Sequence, residues 1–319
     1  MATKKIFCCL VQTFGDVVLG STLCRNIKLR YPDSEITFVT GQQYVDILKN
    51  NPDITRLLFS QPGLFNDILV KSKMQKFDEV YLPYMRTHED TLWHHQPNAY
   101  FHLVDFYAKR CDDLQLHDRR TFIYPDTQDQ EVVAKFLTPF ELLKDRPLIT
   151  IHGTSPVPSK SWGAENFSKL ARWLEQKGFA VMQVGTADDH KIQSPFIIDA
   201  RGRFSARQTA QAIAHSVLYV GIDSGPAYLA DSMRVPSIIL YGATTHIQAG
   251  PLSKLSVPLE PLRKQEHPCG PGVYTCSTHC QIGAPCILNH EFETVTSTIL
   301  NVLRQIAEAR KAIEPVPVS

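Results

Sequence analysis

Along the chain, short apolar runs alternate with longer stretches of helical spacing. Lys5–Val11 is a continuous apolar run of strand length, and Val17–Tyr31 places Leu19, Leu23, Ile27 and Tyr31 four apart on one helical face. Tyr31-Pro32-Asp33 ends that helix, because proline disfavours helical geometry in the residue before it. Glu35–Thr40 predicts a second strand, Tyr44–Lys49 a short helix, and Ile54–Phe59 and Phe77–Pro83 two more strands. Residues 84–120 are less regular, with a helix ending at Cys111. A strand at Thr121–Tyr124 and a helix at Thr127–Phe136 then lead to Thr138-Pro139 and Lys144-Asp145-Arg146-Pro147, which punctuate the chain. After this the rhythm restarts. Pro147–Gly153 is a strand, Ala164–Lys177 an amphipathic helix and Phe179–Gly185 a strand, followed by Phe196–Ala200. Ala206–His215 is a helix, Val217–Gly221 a strand, Gly225–Ser232 a helix and Val235–Gly242 a strand. A last helix covers about Glu291–Ile313.

This order predicts an α/β protein of two doubly wound, Rossmann-like domains, 1–145 and 146–319, facing each other across a cleft. The last helix is a candidate to pack back on the first domain. Ligands of such sheets bind at the carboxyl ends of the strands, so the strand-to-helix turns are where chemistry is expected.

Composition narrows the classes. A chain of 319 residues with 43% hydrophobic and 20% charged residues has enough apolar surface for two cores, which excludes wholesale disorder. Thirty-three basic against thirty-two acidic residues leave no basic excess for nucleic acid. No apolar run reaches the length of a membrane span. The N-terminal run Ile6–Val11 breaks at Gln12 without a small-residue cleavage site, so it reads as a strand and the protein as cytoplasmic. Peripheral contact with the inner membrane face, through groups such as Lys109-Arg110 and Arg119-Arg120, is a further expectation, with ordinary solvated charge as its alternative.

Three turns carry candidate chemistry. Gln12-Thr13-Phe14-Gly15-Asp16 joins the first strand to the first helix. Its single glycine does not make the dinucleotide fingerprint, which needs three. Asp16, at or near the N-cap, is either a simple cap or a carboxylate on the cleft floor able to act as general base. In Ile151–Trp162, Thr154 and Ser155 stand at a strand end and Lys160 in a proline-stiffened loop, a set suited to a diphosphate unless the lysine is merely solvated. Asp223-Ser224-Gly225-Pro226 opens a helix whose small residues would admit a phosphate to its N-terminus; the alternative is an ordinary cap.

Taken together, Gly15–Thr40, Ser159–Asp189 and Gly221–Thr244 resemble, in order and spacing, glycosyltransferase family 9, the heptosyltransferases of lipopolysaccharide core assembly and their relatives. The resemblance implies the GT-B fold, a nucleotide-activated sugar donor, and inversion at the anomeric carbon without a catalytic metal or other cofactor. It makes the first domain the acceptor side and the second the nucleotide-sugar side. It implies Asp16 as the base, and Lys160 with Thr154 and Ser155 at the donor diphosphate. It places Asp188 at the ribose, Phe204 over the nucleobase, and Asp223, Ser224 and Gly225 at sugar and phosphates. Two departures bear on donor and acceptor identity. Val11-Gln12-Thr13-Phe14 lacks the basic residue the family often has before its Gly-Asp pair, and Tyr228 stands where the family often has histidine.

Arg86, His88, His94 and His95, with Lys109, form a candidate wall for a phosphorylated or acidic glycan or glycolipid acceptor, or else a solvated histidine-rich loop. Of eight cysteines, Cys8, Cys9, Cys24 and Cys111 read as buried reduced thiols. Cys269, Cys276, Cys280 and Cys286 crowd one loop, a candidate structural zinc or iron site, with unligated thiols or disulfides as the alternatives. The lead reading is transfer of a heptose or related sugar, with ADP-heptose as the expected donor, to a lipopolysaccharide-type or other bacterial surface glycan. A nucleotide-sugar epimerase on the same architecture and a non-catalytic nucleotide-sugar-binding protein are the alternatives.

Overall fold

The structure, a computed structural model, describes residues 3–60, 76–83, 102–242, 244–261 and 285–313. In the first lobe β1 (Lys5–Cys9), β2 (Glu35–Gly41), β3 (Arg56–Ser60) and β4 (Glu79–Tyr81) form a parallel sheet of order β3-β2-β1-β4. The helices of this part are α1 (Phe14–Arg30), α2 (Val45–Leu48), α3 (Leu103–Lys109) and α4 (Thr127–Leu137). The second lobe carries β5 (Leu148–His152), α5 (Ala164–Gln176), β6 (Ala180–Gln183), β7 (Ile198–Asp199), α6 (Ala206–Ala214) and β8 (Leu218–Ile222). It continues with α7 (Gly225–Ser232), β9 (Ser237–Leu240), α8 (His246–Ala249), β10 (Ser256–Leu259), α9 (Pro285–Leu288) and α10 (Phe292–Ile313). Its sheet, of order β10-β9-β8-β5-β6-β7, is also parallel throughout. Both sheets share one winding: the chain runs outward from β1 or β5, then crosses back to β4 or β8 on the other side. Ligand crevices open at such reversals.

The predicted elements are present with small shifts. Helix α1 starts at Phe14, so Asp16 falls inside its first turn. Val17, Val18, Leu19, Leu23, Cys24 and Ile27 are fully buried, which needs cover on more than one side. The sheet supplies one side, where a Cβ on Gly20 would stand 3.1 Å from Leu10, and α3 and α7 supply the rest. Strand β10, unassigned from the sequence, contains Pro258 and sits at an edge, where a missing N–H is tolerated.

Thr121–Tyr124, expected as a strand, belongs to neither sheet. Polar side chains of α1 satisfy this segment instead. Thr22 Oγ1 donates to the Arg120 carbonyl at 2.9 Å, the Phe122 N–H donates to Ser21 Oγ at 2.8 Å, and Asn26 brackets Asp118. From there the segment reaches the second lobe, where Thr121 Oγ1 donates to the buried Asp231 of α7 at 2.9 Å. Within its described residues the last helix packs on the second lobe. Its Val295, Ile299 and Val302 pack with Trp162, Phe167 and Leu170, because its apolar stripe matches the outer face of α5.

A single apolar cluster runs from Ile6, Leu23 and Phe38 of the first lobe through Ala227, Leu229 and Ala210 to Met182 and Ile239 of the second. Beside it Arg207 of α6, 4% exposed, pairs with Asp46 of α2 and with Asp126 and Asp129 at the start of α4. Among the described residues no helix is long and apolar enough to cross a membrane.

Candidate active site

Two helix starts meet at the mouth of the cleft. Phe14 of α1 lies where a Cβ on Gly225 would be, 2.6 Å from its ring, and Gly15 faces Tyr228 of α7, whose ring stands 2.8 Å from an added Cβ. The glycines of both turns are thus points of close contact between the lobes, and larger residues there would wedge them apart. A pocket of about 430 Å³ opens at this junction, lined from one side by Gln12, Asp16 and Tyr107 and from the other by Lys160, Asp223 and Ser224.

Asp16 is the third residue of α1 and half-buried. Its Oδ2 accepts from the Thr13 backbone N–H and hydroxyl, both at 2.8 Å, and its Oδ1 accepts from the Tyr107 hydroxyl at 2.7 Å. The capping and cleft-facing alternatives therefore coexist in one carboxylate: one oxygen reaches back over the helix start while the side chain lines the pocket. Tyr107 comes from α3, which its N-cap His102 fixes. The ring Nδ1 accepts from the Val104 N–H at 3.1 Å, and Nε2 lies 2.7 Å from the Gly250 carbonyl of the second lobe. Burial pushes the His102 ring down to about 4, so it is neutral, with its hydrogen on Nε2.

Opposite, Lys160 Nζ donates to Asp223 Oδ2 at 2.7 Å, and Thr244 Oγ1 donates to the same oxygen at 2.6 Å. Asp223 is 6% exposed, so the ammonium offsets a carboxylate that would otherwise be costly to bury. Ser224 is the N-cap of α7, whose helix dipole points its positive end at the pocket. Behind it lies His152, the last residue of β5, which the sequence reading passed over. The Tyr228 hydroxyl donates to the Ala249 carbonyl, closing the rim.

Of the predicted residues, Asp16, Lys160, Asp223, Ser224 and Gly225 come together in this pocket. Thr154, Ser155, Asp188 and Phe204 do not line it. Ser155 Oγ accepts from the Val157 N–H at 3.1 Å and shapes its own turn. Asp188 is exposed, while its neighbour Asp189 turns inward to His152. Phe204 stacks edge-on with Phe136 of α4 at 5.0 Å. Arg86, His88, His94, His95, Cys269, Cys276 and Cys280 lie outside the described residues, and Cys286 is half-buried at the start of α9. Among the described residues no group of three or more His, Cys, Asp or Glu is arranged to hold a metal ion. Tyr107, Thr244 and Gln248 are lining residues that sequence patterns did not single out as ligands.

The sequence model of glycosyltransferase family 9 (heptosyltransferase) matches residues 71–273. Lipopolysaccharide heptosyltransferase 3 of Escherichia coli is 25% identical over 279 residues, 73% of this chain and 81% of that protein. Among solved structures, a family 9 glycosyl transferase from Veillonella parvula superposes with a TM-score of 0.76 at 21% identity, covering 95% of this chain and 97% of its own. The E. coli ADP-heptose lipopolysaccharide heptosyltransferase II gives 0.70 at 16% identity, covering 95% and 99%. TibC of enterotoxigenic E. coli, described as an iron-containing dodecameric glycosyltransferase, gives 0.65 at 14% identity, covering 96% and 78%. These structures share the GT-B arrangement of two facing lobes seen here.

Proposed function

As a member of glycosyltransferase family 9, this chain is a glycosyltransferase of the heptosyltransferase type, and from that premise we propose that it moves a heptose from ADP-heptose to a lipopolysaccharide-type acceptor with inversion and without a catalytic metal. The observation that carries the reading is that Asp16 and the Lys160–Asp223–Ser224 group line one pocket from opposite lobes. The first lobe, residues 1–145, takes the acceptor and the second, 146–319, the nucleotide. The names of the relatives, which transfer heptose in lipopolysaccharide assembly, support the sugar and the acceptor class.

An acceptor hydroxyl is a weak nucleophile at neutral pH. Asp16 takes its proton as it attacks the anomeric carbon, while the bond to the diphosphate breaks on the opposite face. A base on one side and a leaving group on the other demand a single displacement, hence inversion. Negative charge grows on the leaving phosphate, where Lys160 and the start of α7 stabilise it. Asp223, itself held by the Thr244 hydroxyl, keeps the ammonium in place before the donor arrives, so little reorganisation is needed at the moment of transfer. Cys269, Cys276, Cys280 and Cys286 are proposed to hold a structural zinc or iron, since four thiolates suit a tetrahedral ion. Cys286 lies on α9, which packs against the 3-10 turn Pro158–Lys160, so such an ion would brace the lysine rather than react.

The test is to supply ADP-heptose with a heptose-terminated core oligosaccharide and follow ADP release and product configuration by NMR. Acceptor-dependent release, an anomeric centre opposite to the donor's and no requirement for added divalent metal are expected. Retention of configuration would sink the mechanism, and turnover without acceptor would favour an epimerase.

A further inference from the structure

The donor side of the pocket rests on a chain of three residues, Asp189, His152 and Ser224, buried at its centre, whose coupling the mechanism above does not use. His152 is 6% exposed, and both its ring nitrogens are engaged. Nε2 lies 3.2 Å from Asp189 Oδ2, and Nδ1 lies 3.0 Å from Oγ of Ser224, the pocket-lining N-cap of α7. Asp189 is fixed in turn by the Thr186 N–H at 3.1 Å and the Thr186 hydroxyl at 2.8 Å. Gly185 makes the room for this pair. Its φ is +141°, and a Cβ there would fall 2.0 Å from Asp189 Oδ2 and 3.2 Å from the imidazole. The loop is built around the contact.

Burial pushes the Asp189 carboxyl up, but hydrogen bonds from His152 and Thr186 prevail and hold it below the usual carboxylate range. An ionised carboxylate only accepts, so Nε2 carries a hydrogen. Two states remain for Nδ1. In the neutral ring its lone pair accepts the Ser224 O–H, which turns the hydroxyl hydrogen into the protein and the oxygen lone pairs toward the pocket. In the imidazolium, Nδ1–H donates to Oγ and frees the hydroxyl hydrogen. That hydrogen then goes either to the Ile222 carbonyl, 3.2 Å away, or to an anion in the pocket.

We infer that His152, clamped by Asp189, is a positioning residue for the donor diphosphate: arrival of the anion draws a proton from solvent onto the imidazole and turns the Ser224 hydroxyl outward as a donor. This rests on the reading that the pocket receives a nucleoside diphosphate. Charge balance argues the same way. Lys160 is already paired with Asp223, so the incoming phosphates meet a cation and a carboxylate together. The other charged and titratable groups around the ring are Asp189, Arg201 behind it on the Asp189 carbonyl, Tyr219 of β8, and Asp223 with Lys160 beyond Ser224. Tyr219 is buried, which pushes its phenol far up and keeps it neutral. Among these types only imidazole ordinarily titrates near neutral pH.

The experiment is calorimetry of ADP binding in buffers of different ionisation enthalpy, on the wild type, His152→Asn and Ser224→Ala. Asparagine keeps an amide near the Nδ1 position but cannot titrate. The terminal phosphate of ADP exchanges protons of its own, so the difference between proteins is the readout. The wild type is expected to take up about one proton more per ADP than His152→Asn, and its Kd to rise by up to about tenfold per pH unit relative to that variant. Ser224→Ala is expected to lose the same linkage from the other end of the chain, and it carries the test alone if His152→Asn fails to fold. Equal proton uptake in all three proteins overturns the inference and leaves the donor site standing. Absence of ADP binding by the wild type at every pH overturns the donor reading itself.

Discussion

At the start of α1 the carboxylate of Asp16 is held by neutral donors, the Thr13 N–H and the Thr13 and Tyr107 hydroxyls, whereas at the start of α7 the carboxylate of Asp223 is held by the Lys160 ammonium and the Thr244 hydroxyl. Both follow a strand that ends at the cleft, and each has a glycine within two residues. Their surroundings separate their tasks. Neutral donors orient Asp16 without pairing it with a cation, which fits the base proposed for it. Asp223 is neutralised and nearly sealed from solvent, so its use is to aim a cation. The residue type at a helix start therefore says little; the partner supplied from elsewhere in the chain decides.

The largest effect expected from breaking this contrast is at Asp16. In Asp16→Ala, single-turnover transfer should fall by about 10²–10⁴-fold, with ADP affinity unchanged within a few-fold by calorimetry. Loss of affinity with transfer intact would assign the residue to the donor. Next comes His102, which ties the helix bearing Tyr107 to Gly250. A free histidine titrates near 6.5, but this ring stays neutral down to about 4. The unfolded chain thus binds more protons over that window, and stability should drop as pH falls from 6.5 to 4, by up to ~3 kcal/mol from this group. Denaturant melts across that range should show it, and His102→Gln, which keeps an N–H for Gly250, should flatten the drop.

Lys160→Met should weaken ADP binding by about 10–100-fold, as loss of a charge-assisted hydrogen bond implies, because Asp223 then faces the phosphates unpaired. Adding Asp223→Asn should restore part of that loss; strict additivity in this cycle would deny the coupling. The smallest change is Tyr107→Phe. It removes one hydrogen bond from Asp16, and kcat should move by about 3–10-fold with little effect on Tm.

The local grammar of the chain was readable where one segment holds the whole signal. Strand, glycine and helix start together announced Asp16 and Asp223-Ser224-Gly225. What stayed hidden depends on contacts between distant segments. Tyr107 meets Asp16 across ninety-one residues, and nothing near either residue marks the pairing. His152 looked like the end of a strand, and its role rests on a loop residue thirty-seven positions later. In that loop Asp188, expected at the ribose, is exposed, while Asp189 turns inward to His152; neighbouring carboxylates in a loop face opposite ways. Thr121–Tyr124 has strand composition, yet hydrogen-bonding side chains of α1 claim its backbone, which propensity alone cannot anticipate.

The apolar layer that continues from Ile6 and Leu23 into Leu229 and Ile239 has a consequence for how the enzyme breathes. Swinging the halves wide apart would wet that layer and cost free energy in proportion to the apolar area exposed. The same layer couples melting of the halves. The first half has its main buried cluster in that layer, whereas the second also keeps a separate one around Trp162, Phe167 and Val295.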